Sequence, residues 1–372
     1  MSNWMFDNSS YEVKNILIIS SSSSKTGGGD IHLNRLISYW QKDNVDVKTL
    51  TLMEFNKFDL LTNVKYAFTS LEKIIGLNNV TNEEILKFDI IVSASPYPSD
   101  LFHSIKLGKK YGKKVVCYFH HIVPPLSNYP FRRGFFRTVL NIVYFKYALH
   151  LVKKNHVAIF LDHPETLKDS GITVYENLTP AEGNDNVYRD KFYDICHIGR
   201  ITKAKGIIDL IRVLKMLSEE GIKPKIALVG AYSSKMKTKL DKLIHKYGLE
   251  GQITFFGYVN NEKKVEILKS SKIFISLSYE EGWSISVMEA ANYGIPIIAY
   301  DLVAYNYLHG NYHSVPVGNL IVVKSLIINL LSNTELLNKY VESATFYVKS
   351  INYEDVSKTQ LKYMSDFLNR VD

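Results

Sequence analysis

Two glutamates, Glu281 and Glu289, form the pattern E-x7-E at a predicted strand-to-helix turn in the segment IFISLSYEEGWSISVMEAANYGIPIIAYD. The first precedes a helix predicted to begin near Ser284, and the second lies in the second turn of that helix. Free backbone N–H groups and the helix dipole make such a turn able to bind phosphate. Carboxylates repel phosphate, so these two must accept hydrogen bonds from neutral groups, and sugar or ribose hydroxyls are the obvious donors. A dipole-favoured glutamate followed by a solvated one is the structural alternative.

Two cations lie in a second predicted strand-to-helix loop, in the segment CHIGRITKAKGIIDL. Arg200 follows a strand, and Lys205 precedes a helix predicted to begin near Gly206. Because both side chains project from one loop, together they could neutralise a diphosphate. Each charge-assisted hydrogen bond would contribute about 1.5 to 3 kcal/mol. A solvated basic loop is the alternative for these residues taken alone.

Strand-to-helix turns of this kind lie where the strands of a parallel sheet end. Short β-rich runs, such as NILIISS and FDIIVSAS in the first half and KIALVG and IFISLS in the second, alternate with helical patterns. This alternation predicts an α/β protein of two Rossmann-like, doubly wound parallel-sheet domains. The turn-rich segment 180–186 is the predicted boundary, which gives domains at residues 1–180 and 187–350. Residues 351–372 are predicted to form a crossover helix that packs back toward the N-terminal domain.

Four segments of the second half resemble one enzyme family. They are GR-x4-KG at residues 199–206, FFGYV at residues 255–259, EEGWSISVMEA and GIPIIAYD. With them the chain resembles the family 4 glycosyltransferases, also called glycosyl transferases group 1, over essentially its whole length. These are retaining enzymes of the GT-B fold, in which the two domains face each other across a cleft and the sugar donor is a nucleotide sugar.

The resemblance implies a role for each of the charged residues. Arg200 and Lys205 would hold the donor diphosphate. Glu289 would bind the nucleotide ribose, and Glu281 the hydroxyls of the transferred sugar. The remaining donor-binding groups of this half would be backbone N–H groups of the turn, at Gly282, Trp283 and Ser284.

The N-terminal half carries a weaker form of the same resemblance. The segment TGGGD follows the first strand, and the family has a glycine-rich loop here that approaches the donor phosphate, which implies donor-binding roles for Gly28 and Gly29. Taken alone, these glycines equally suit a tight turn. His120 matches a family histidine that touches the donor sugar, although the adjacent His121 leaves the assignment open.

The same residues favour electrostatic catalysis. Arg200, Lys205 and the helix start near Ser284 would stabilise the charge that grows on the leaving diphosphate, while the sugar passes through an oxocarbenium-like state. No same-face nucleophile is evident, and the resemblance implies retention, with the leaving phosphate deprotonating the acceptor. No D-x-D pair stands at a strand end, so we expect no metal and no cofactor; the UDP- or GDP-sugar is a substrate.

Two other enzyme classes remain open from the sequence. A sugar-nucleotide 2-epimerase shares the fold and the binding of a diphosphate, but it needs no acceptor. An NAD-dependent oxidoreductase would explain glycines after a strand, yet TGGGD lacks the spacing G-x-G-x-x-G and the second strand ends in Thr-Leu-Thr rather than an acidic residue.

The positive charge of the chain is concentrated in residues 101–161. The 372 residues carry a net charge of +8, and this segment has eleven Lys and Arg but no Asp or Glu. Aromatic residues interleave with the basic ones. We therefore predict that residues 129–154 contact an anionic membrane surface. A partly buried helix with a solvated basic face is the alternative, and no nucleic-acid-binding motif accompanies the charge.

The sequence also predicts where the protein is located and what its acceptor is. The sequence has two cysteines, no uncharged apolar stretch long enough to span a bilayer, and a polar N-terminal segment. We therefore expect a cytoplasmic protein, either free or peripheral on the inner face of the cell membrane. The expected acceptor is a glycan or a lipid-linked glycan.

Overall fold

The computed structural model describes residues 12–21, 28–51, 68–120, 135–180, 191–308, 311–333 and 352–370. These residues form two compact units. The first contains the described residues from 12 to 179 together with the helix Tyr353–Asn369, and the second contains those from 191 to 333. The chain therefore returns to its first unit after the second is complete.

The first unit is a six-stranded parallel sheet in the order β2-β1-β3-β4-β5-β6. Its strands are β1 (Asn15–Ser20), β2 (Asp46–Thr51), β3 (Ile90–Ser93), β4 (Lys114–Phe119), β5 (Ala158–Leu161) and β6 (Val174–Glu176). Its helices are α1 (Gly28–Lys42), α2 (Leu71–Leu77), α3 (Asn82–Leu86), α4 (Pro98–Tyr111) and α5 (Phe135–Lys154), and a 3-10 turn covers Pro164–Leu167.

The second unit repeats this architecture, with the strand order β12-β11-β10-β7-β8-β9. Its strands are β7 (Tyr193–Ile198), β8 (Ile226–Val229), β9 (Ile253–Gly257), β10 (Ser271–Ser276), β11 (Ile297–Tyr300) and β12 (His313–Val315). Its helices are α6 (Ile207–Glu219), α7 (Ser234–Tyr247), α8 (Asn261–Lys269), α9 (Ile285–Asn292) and α10 (Leu320–Ser332), with a 3-10 helix at Val303–Leu308. The predicted pair of doubly wound parallel sheets is confirmed.

Burial on both faces explains why the strands read as continuous apolar runs. All four residues of β3, β5, β8 and β11 are buried, as expected where helices cover both faces of a parallel sheet. Local signals set the helix ends. Helix α4 begins with Pro98 and stops at Gly112, whose left-handed φ of 64° costs glycine nothing.

The last helix, α11 (Tyr353–Asn369), packs on the first helix of the same unit. Trp40 is fully buried and its indole N–H donates to the Ser357 carbonyl over 3.3 Å. The Tyr118 hydroxyl donates to the Gln360 side chain over 2.5 Å. These buried polar contacts give α11 one register on the N-terminal sheet, because a shift would leave their partners unsatisfied.

Candidate active site

The loop after β7 closes onto the end of β10. At Gly206, φ is 70° and an added Cβ would lie 1.9 Å from the Leu277 carbonyl oxygen, so only glycine allows this approach. The Tyr279 N–H also donates to the Ala204 carbonyl over 2.9 Å. Together these contacts place Lys205 beside the segment that carries the first glutamate.

Lys205 and Glu281 form a direct ion pair between these two loops. Their side chains are 20% and 10% exposed, so solvent screens the pair less than a surface ion pair. The Ser278 hydroxyl donates to Glu281 Oε1 over 2.7 Å and orients the carboxylate. The structure thus places the residue predicted to bind the diphosphate in contact with the residue predicted to bind the sugar. Their charges balance, and polar groups of a bound donor can replace the contact between them.

A buried histidine lies next to this pair. His197, on β7, shares a hydrogen bond of 3.0 Å between Nδ1 and the Ile275 carbonyl, so Nδ1 donates and Nε2 is an acceptor. Burial, with the nearby Lys205 charge, lowers the pKa of His197 to about 4. Nε2 is buried and has no hydrogen-bond partner in the described part of the chain.

The sequence interpretation missed His197. The available signal was a single polar residue in the buried run DICHI, immediately before the Gly-Arg pair. The side chain presents a neutral hydrogen-bond acceptor beneath the cationic loop, since its lowered pKa leaves it uncharged at neutral pH.

The turn before α9 has an unusual backbone conformation. Ser284, the residue before the helix, has φ 59°, which is strained for a residue with a Cβ. Its side chain does not cap the helix, and its carbonyl accepts the Val287 N–H over 3.0 Å. The first N–H groups of α9 therefore lack a side-chain cap and face outward from the helix start.

Trp283 holds this turn in place. Its ring stacks on Tyr307 with centroids 4.3 Å apart, and only 6% of the residue is exposed. The Tyr307 hydroxyl reaches the Ser284 carbonyl at 3.5 Å. The indole thus belongs to the packing beneath the turn, which leaves Gly282 and the backbone of the turn as the groups that a ligand can approach.

Glu289 lies in the second turn of α9 and is almost completely buried. Its side chain is 5% exposed, and Oε1 accepts from the Lys264 ammonium over 2.6 Å. Lys264 belongs to α8 and was not among the sequence-predicted residues. Nothing in the sequence spacing signals this pair, because it joins two helices 25 residues apart.

Arg200 stands apart from these ion pairs. It follows β7 at the start of the loop that carries Lys205, and it is exposed. Within the described residues, its guanidinium forms neither a hydrogen bond nor an ion pair. The structure therefore joins Lys205 with Glu281 directly and leaves Arg200 available to a ligand.

In the first unit, two predicted residues touch each other. An added Cβ on Gly29 would lie 2.4 Å from Cδ2 of His120, so the absence of a side chain at Gly29 is what admits the imidazole. His120 Nε2 lies 3.2 Å from the Ala94 carbonyl. Gly28 is the first residue of α1, and His121 lies outside the described residues.

Two negative findings apply to the described part of the chain. No group of three or more His, Cys, Asp or Glu residues there could hold a metal ion. None of the helices in these residues combines the length and the hydrophobicity that spanning a bilayer requires.

Comparison with known proteins assigns the second unit to a family. Residues 181–345 match the family Glycosyl transferases group 1. The second unit is a glycosyl transferases group 1 domain. This domain carries every predicted site residue outside the first unit, including the Lys205–Glu281 pair and Glu289.

One relative matches nearly the whole chain, and two others match parts of it. An uncharacterized glycosyltransferase of Methanocaldococcus jannaschii is 25% identical over 92% of this chain and 96% of its own length. A second uncharacterized glycosyltransferase of that organism is 34% identical, but over only 31% of this chain and 27% of its own length. The alpha-galactosylglucosyldiacylglycerol synthase of Streptococcus pneumoniae is 27% identical over 49% of this chain and 46% of its own.

Solved structures establish the fold. HepE of Anabaena, crystallised with UDP and glucose, superposes with a TM-score of 0.70 at 13% identity, covering 95% of this chain and 100% of that one. Sucrose-phosphate synthase of Thermosynechococcus elongatus gives a TM-score of 0.73 at 12% identity, covering 95% and 98%. The fold of this chain, which includes the glycosyl transferases group 1 domain, is GT-B. These similarities give the epimerase and oxidoreductase alternatives no support.

Proposed function

We propose that this protein is a retaining family 4 glycosyltransferase that moves a hexose-type sugar from a UDP- or GDP-sugar to a glycan or lipid-linked acceptor. The observation that carries the proposal is the Lys205–Glu281 ion pair beside the uncapped start of α9, in a glycosyl transferases group 1 domain. A cation and a carboxylate in contact suit a ligand that carries a diphosphate next to sugar hydroxyls.

The cationic groups would bind and stabilise the leaving diphosphate. Lys205 and Arg200 supply two positive charges from one loop, and the N–H groups at the start of α9 supply a third source of positive potential. The breaking bond joins the anomeric carbon to a phosphate oxygen, so negative charge grows where these groups lie. Preorganised charges need no rearrangement at that moment, which is how they lower the barrier.

Glu281 would orient the transferred sugar. Its Oε1 already accepts from Ser278, and a sugar hydroxyl is a donor that carboxylates bind well. Glu289 would accept from the nucleotide ribose. We assign to His120, Gly28 and Gly29 of the first unit the donor contacts that the family resemblance implies, and to the leaving phosphate the deprotonation of the acceptor hydroxyl.

We also propose that the first unit binds an anionic membrane surface, at the inner face of the cell membrane, through α5. Three large apolar side chains of α5, Leu140, Val143 and Tyr147, are 46%, 60% and 48% exposed at spacings of three and four residues, so they form one stripe. Lys146 beside them is exposed, and the last turn ends in Lys153 and Lys154. Of the predicted contact segment 129–154, residues 129–134 lie outside the described chain.

Charge and apolar area favour membrane attachment together. Each lysine near an anionic surface contributes about 1 kcal/mol, so several facing lipid hold the protein reversibly. The apolar stripe adds area that enters the interface. This would bring a lipid-linked acceptor to a cytoplasmic enzyme.

Product analysis tests the proposed activity. The protein is incubated with a panel of UDP- and GDP-sugars and a membrane extract, and products are identified by mass spectrometry and by the anomeric configuration of the new bond. We expect one nucleotide sugar to give a product with retained configuration. An inverted product overturns the retaining mechanism, and nucleotide release with an epimerised sugar and no acceptor product overturns the transferase.

Vesicle binding tests the membrane proposal. Val143→Asp should reduce cosedimentation with anionic vesicles, while the control Ile321→Asp, which changes a 66% exposed isoleucine on α10 of the second unit, should bind like the wild type. If Val143→Asp cosediments with anionic vesicles as well as Ile321→Asp does, α5 is not the membrane-binding surface.

A further inference from the structure

Glu289 has one carboxylate oxygen bound and one available. Oε1 accepts from the Lys264 ammonium over 2.6 Å, in a side chain that is 5% exposed. Oε2 makes no hydrogen bond within the described residues. Oε2 is not a buried unpartnered atom, so it is open to solvent or to a ligand. A ligand hydroxyl is a donor of the right kind.

Lys264, like Glu289, uses only part of its hydrogen-bonding capacity within the described residues. Its ammonium carries three N–H donors, and the described residues accept one of them, at Glu289. Its side chain is 20% exposed, so the remaining donors are not closed off from a ligand. The pair therefore presents a free acceptor and free donors side by side.

Both residues lie about one helical turn from the same edge of the sheet. Helix α8 follows β9 and helix α9 follows β10, and in a parallel sheet such helices begin at the carboxyl edge of the strands. Lys264 is the fourth residue of α8 and Glu289 is the fifth residue of α9. This edge is also where Lys205 and the start of α9 lie.

The neighbouring lysine differs from Lys264. Lys263 pairs with Glu266 of its own helix over 2.7 Å, and the two side chains are 44% and 45% exposed. A solvated pair of this kind contributes little and faces no buried carboxylate. Lys263 is therefore a matched control with the same side chain, one residue away.

We propose that Lys264 and Glu289 together bind the cis-diol of the ribose, so that Lys264 is a specificity-determining residue for a ribonucleoside diphosphate. Glu289 Oε2 accepts from one ribose hydroxyl, and the Lys264 ammonium donates to the oxygen of the neighbouring hydroxyl. This rests on the proposed function, and it adds a cation to the part of the site that recognises the nucleoside. A site built to hydrogen-bond a hydroxyl strongly rejects an analogue that lacks it.

Binding of nucleotides to the full-length protein tests this proposal. Titration calorimetry compares UDP with 2′-deoxy-UDP and 3′-deoxy-UDP, repeats the comparison with GDP and its deoxy analogues, and includes inorganic pyrophosphate. For the wild type we expect each deoxy analogue of the preferred nucleotide to bind about 10- to 100-fold more weakly. In Lys264→Met, discrimination against one of the two deoxy analogues should fall to about threefold or less, while pyrophosphate binding stays within about twofold.

Controls separate this role from a structural one. Lys263→Met should retain the wild-type discrimination. Because Lys264→Met leaves Glu289 without its cation, thermal unfolding is measured in parallel. If that variant fails to fold, Lys264→Met combined with Glu289→Gln removes both charges, and it should bind pyrophosphate normally but bind ribo- and deoxyribonucleotides alike.

Three results would overturn the proposal. Full ribose discrimination in Lys264→Met, or in the folded double variant, would show that Lys264 does not contact the diol. An equal loss of pyrophosphate binding would make it a general phosphate ligand. Both results leave the proposed glycosyltransferase function standing, whereas a wild type that binds neither UDP nor GDP would overturn that function as well.

Discussion

Removing the Lys205 ammonium should cost this enzyme most of its rate. If Lys205 binds the donor diphosphate as proposed, Lys205→Ala removes one charge-assisted hydrogen bond, worth about 1.5 to 3 kcal/mol. The variant also leaves Glu281, whose side chain is 10% exposed, without its cation. For an assumed separation of about 6 Å and an effective dielectric constant of about 20, the uncompensated carboxylate would add about 3 kcal/mol of repulsion with a phosphate charge.

The two losses together amount to about 4.5 to 6 kcal/mol in the transition state, which corresponds to a fall in kcat/KM of about 2 × 10³- to 3 × 10⁴-fold. Steady-state transfer kinetics with the preferred donor measure this. Lys203→Ala, which changes an exposed lysine two residues away in the same loop, is the matched control and should stay within about threefold of the wild type.

A double-mutant cycle separates the two losses. Glu281→Gln alone should weaken sugar binding, because an amide accepts more weakly than a carboxylate. In the Lys205→Ala background, the same change should restore about 10-fold or more of the lost kcat/KM, because it removes the repulsion. The reasoning is refuted if Glu281→Gln has the same effect in both backgrounds, or if Lys205→Ala turns over at a near-normal rate.

Three further predictions concern residues that shape the site. Gly206→Ala should lower the free energy of unfolding by about 2 kcal/mol or more and raise the donor KM, since its Cβ would overlap the Leu277 carbonyl at φ 70°; thermal unfolding and kinetics check this. Gly29→Ala should lower kcat without a comparable loss of melting temperature, because its methyl group displaces the His120 ring; donor kinetics and thermal unfolding check this. His197→Gln should flatten the pH dependence of stability. The folded pKa of His197 is lowered to about 4, so its stability contribution, about 3 kcal/mol, is complete above the unfolded value near 6.5 and is lost as the pH falls toward 4. Melting temperatures of both proteins between pH 4.5 and 7.5 measure this, and parallel curves would contradict it.

The sequence was informative where chemistry and local geometry coincide. Strand-to-helix loops lie at the carboxyl edge of a parallel sheet, so the loops with Lys205 and Glu281 were expected at one edge, and the structure joins them in an ion pair. The alternation of buried runs with helices indicated parallel sheets, because strands that are apolar on both faces need helices or other strands to cover both faces.

Contacts between separate elements were not predictable in this way. Lys264 meets Glu289 across two helices, and no periodicity connects them. His197 lies within a buried strand, and the sequence does not show which of its ring nitrogens has a partner. Only the structure shows that Nδ1 donates to the Ile275 carbonyl and that Nε2 has no partner within the described residues. The backbone N–H of Trp283 stays a predicted donor contact. The stacking of its ring on Tyr307, which lies in the segment after β11, could not be predicted from the sequence.

The position of α11 has a consequence for how the protein is made. Because α11 covers Trp40 and its Ser357 carbonyl accepts the hydrogen bond from the indole N–H, the N-terminal sheet stays partly uncovered until residues 353–369 have left the ribosome. The second unit can finish folding first, although it is translated later. A nascent chain that stalls before Tyr353 would expose the apolar surface around Trp40 to chaperones, so α11 is needed for a stable first unit.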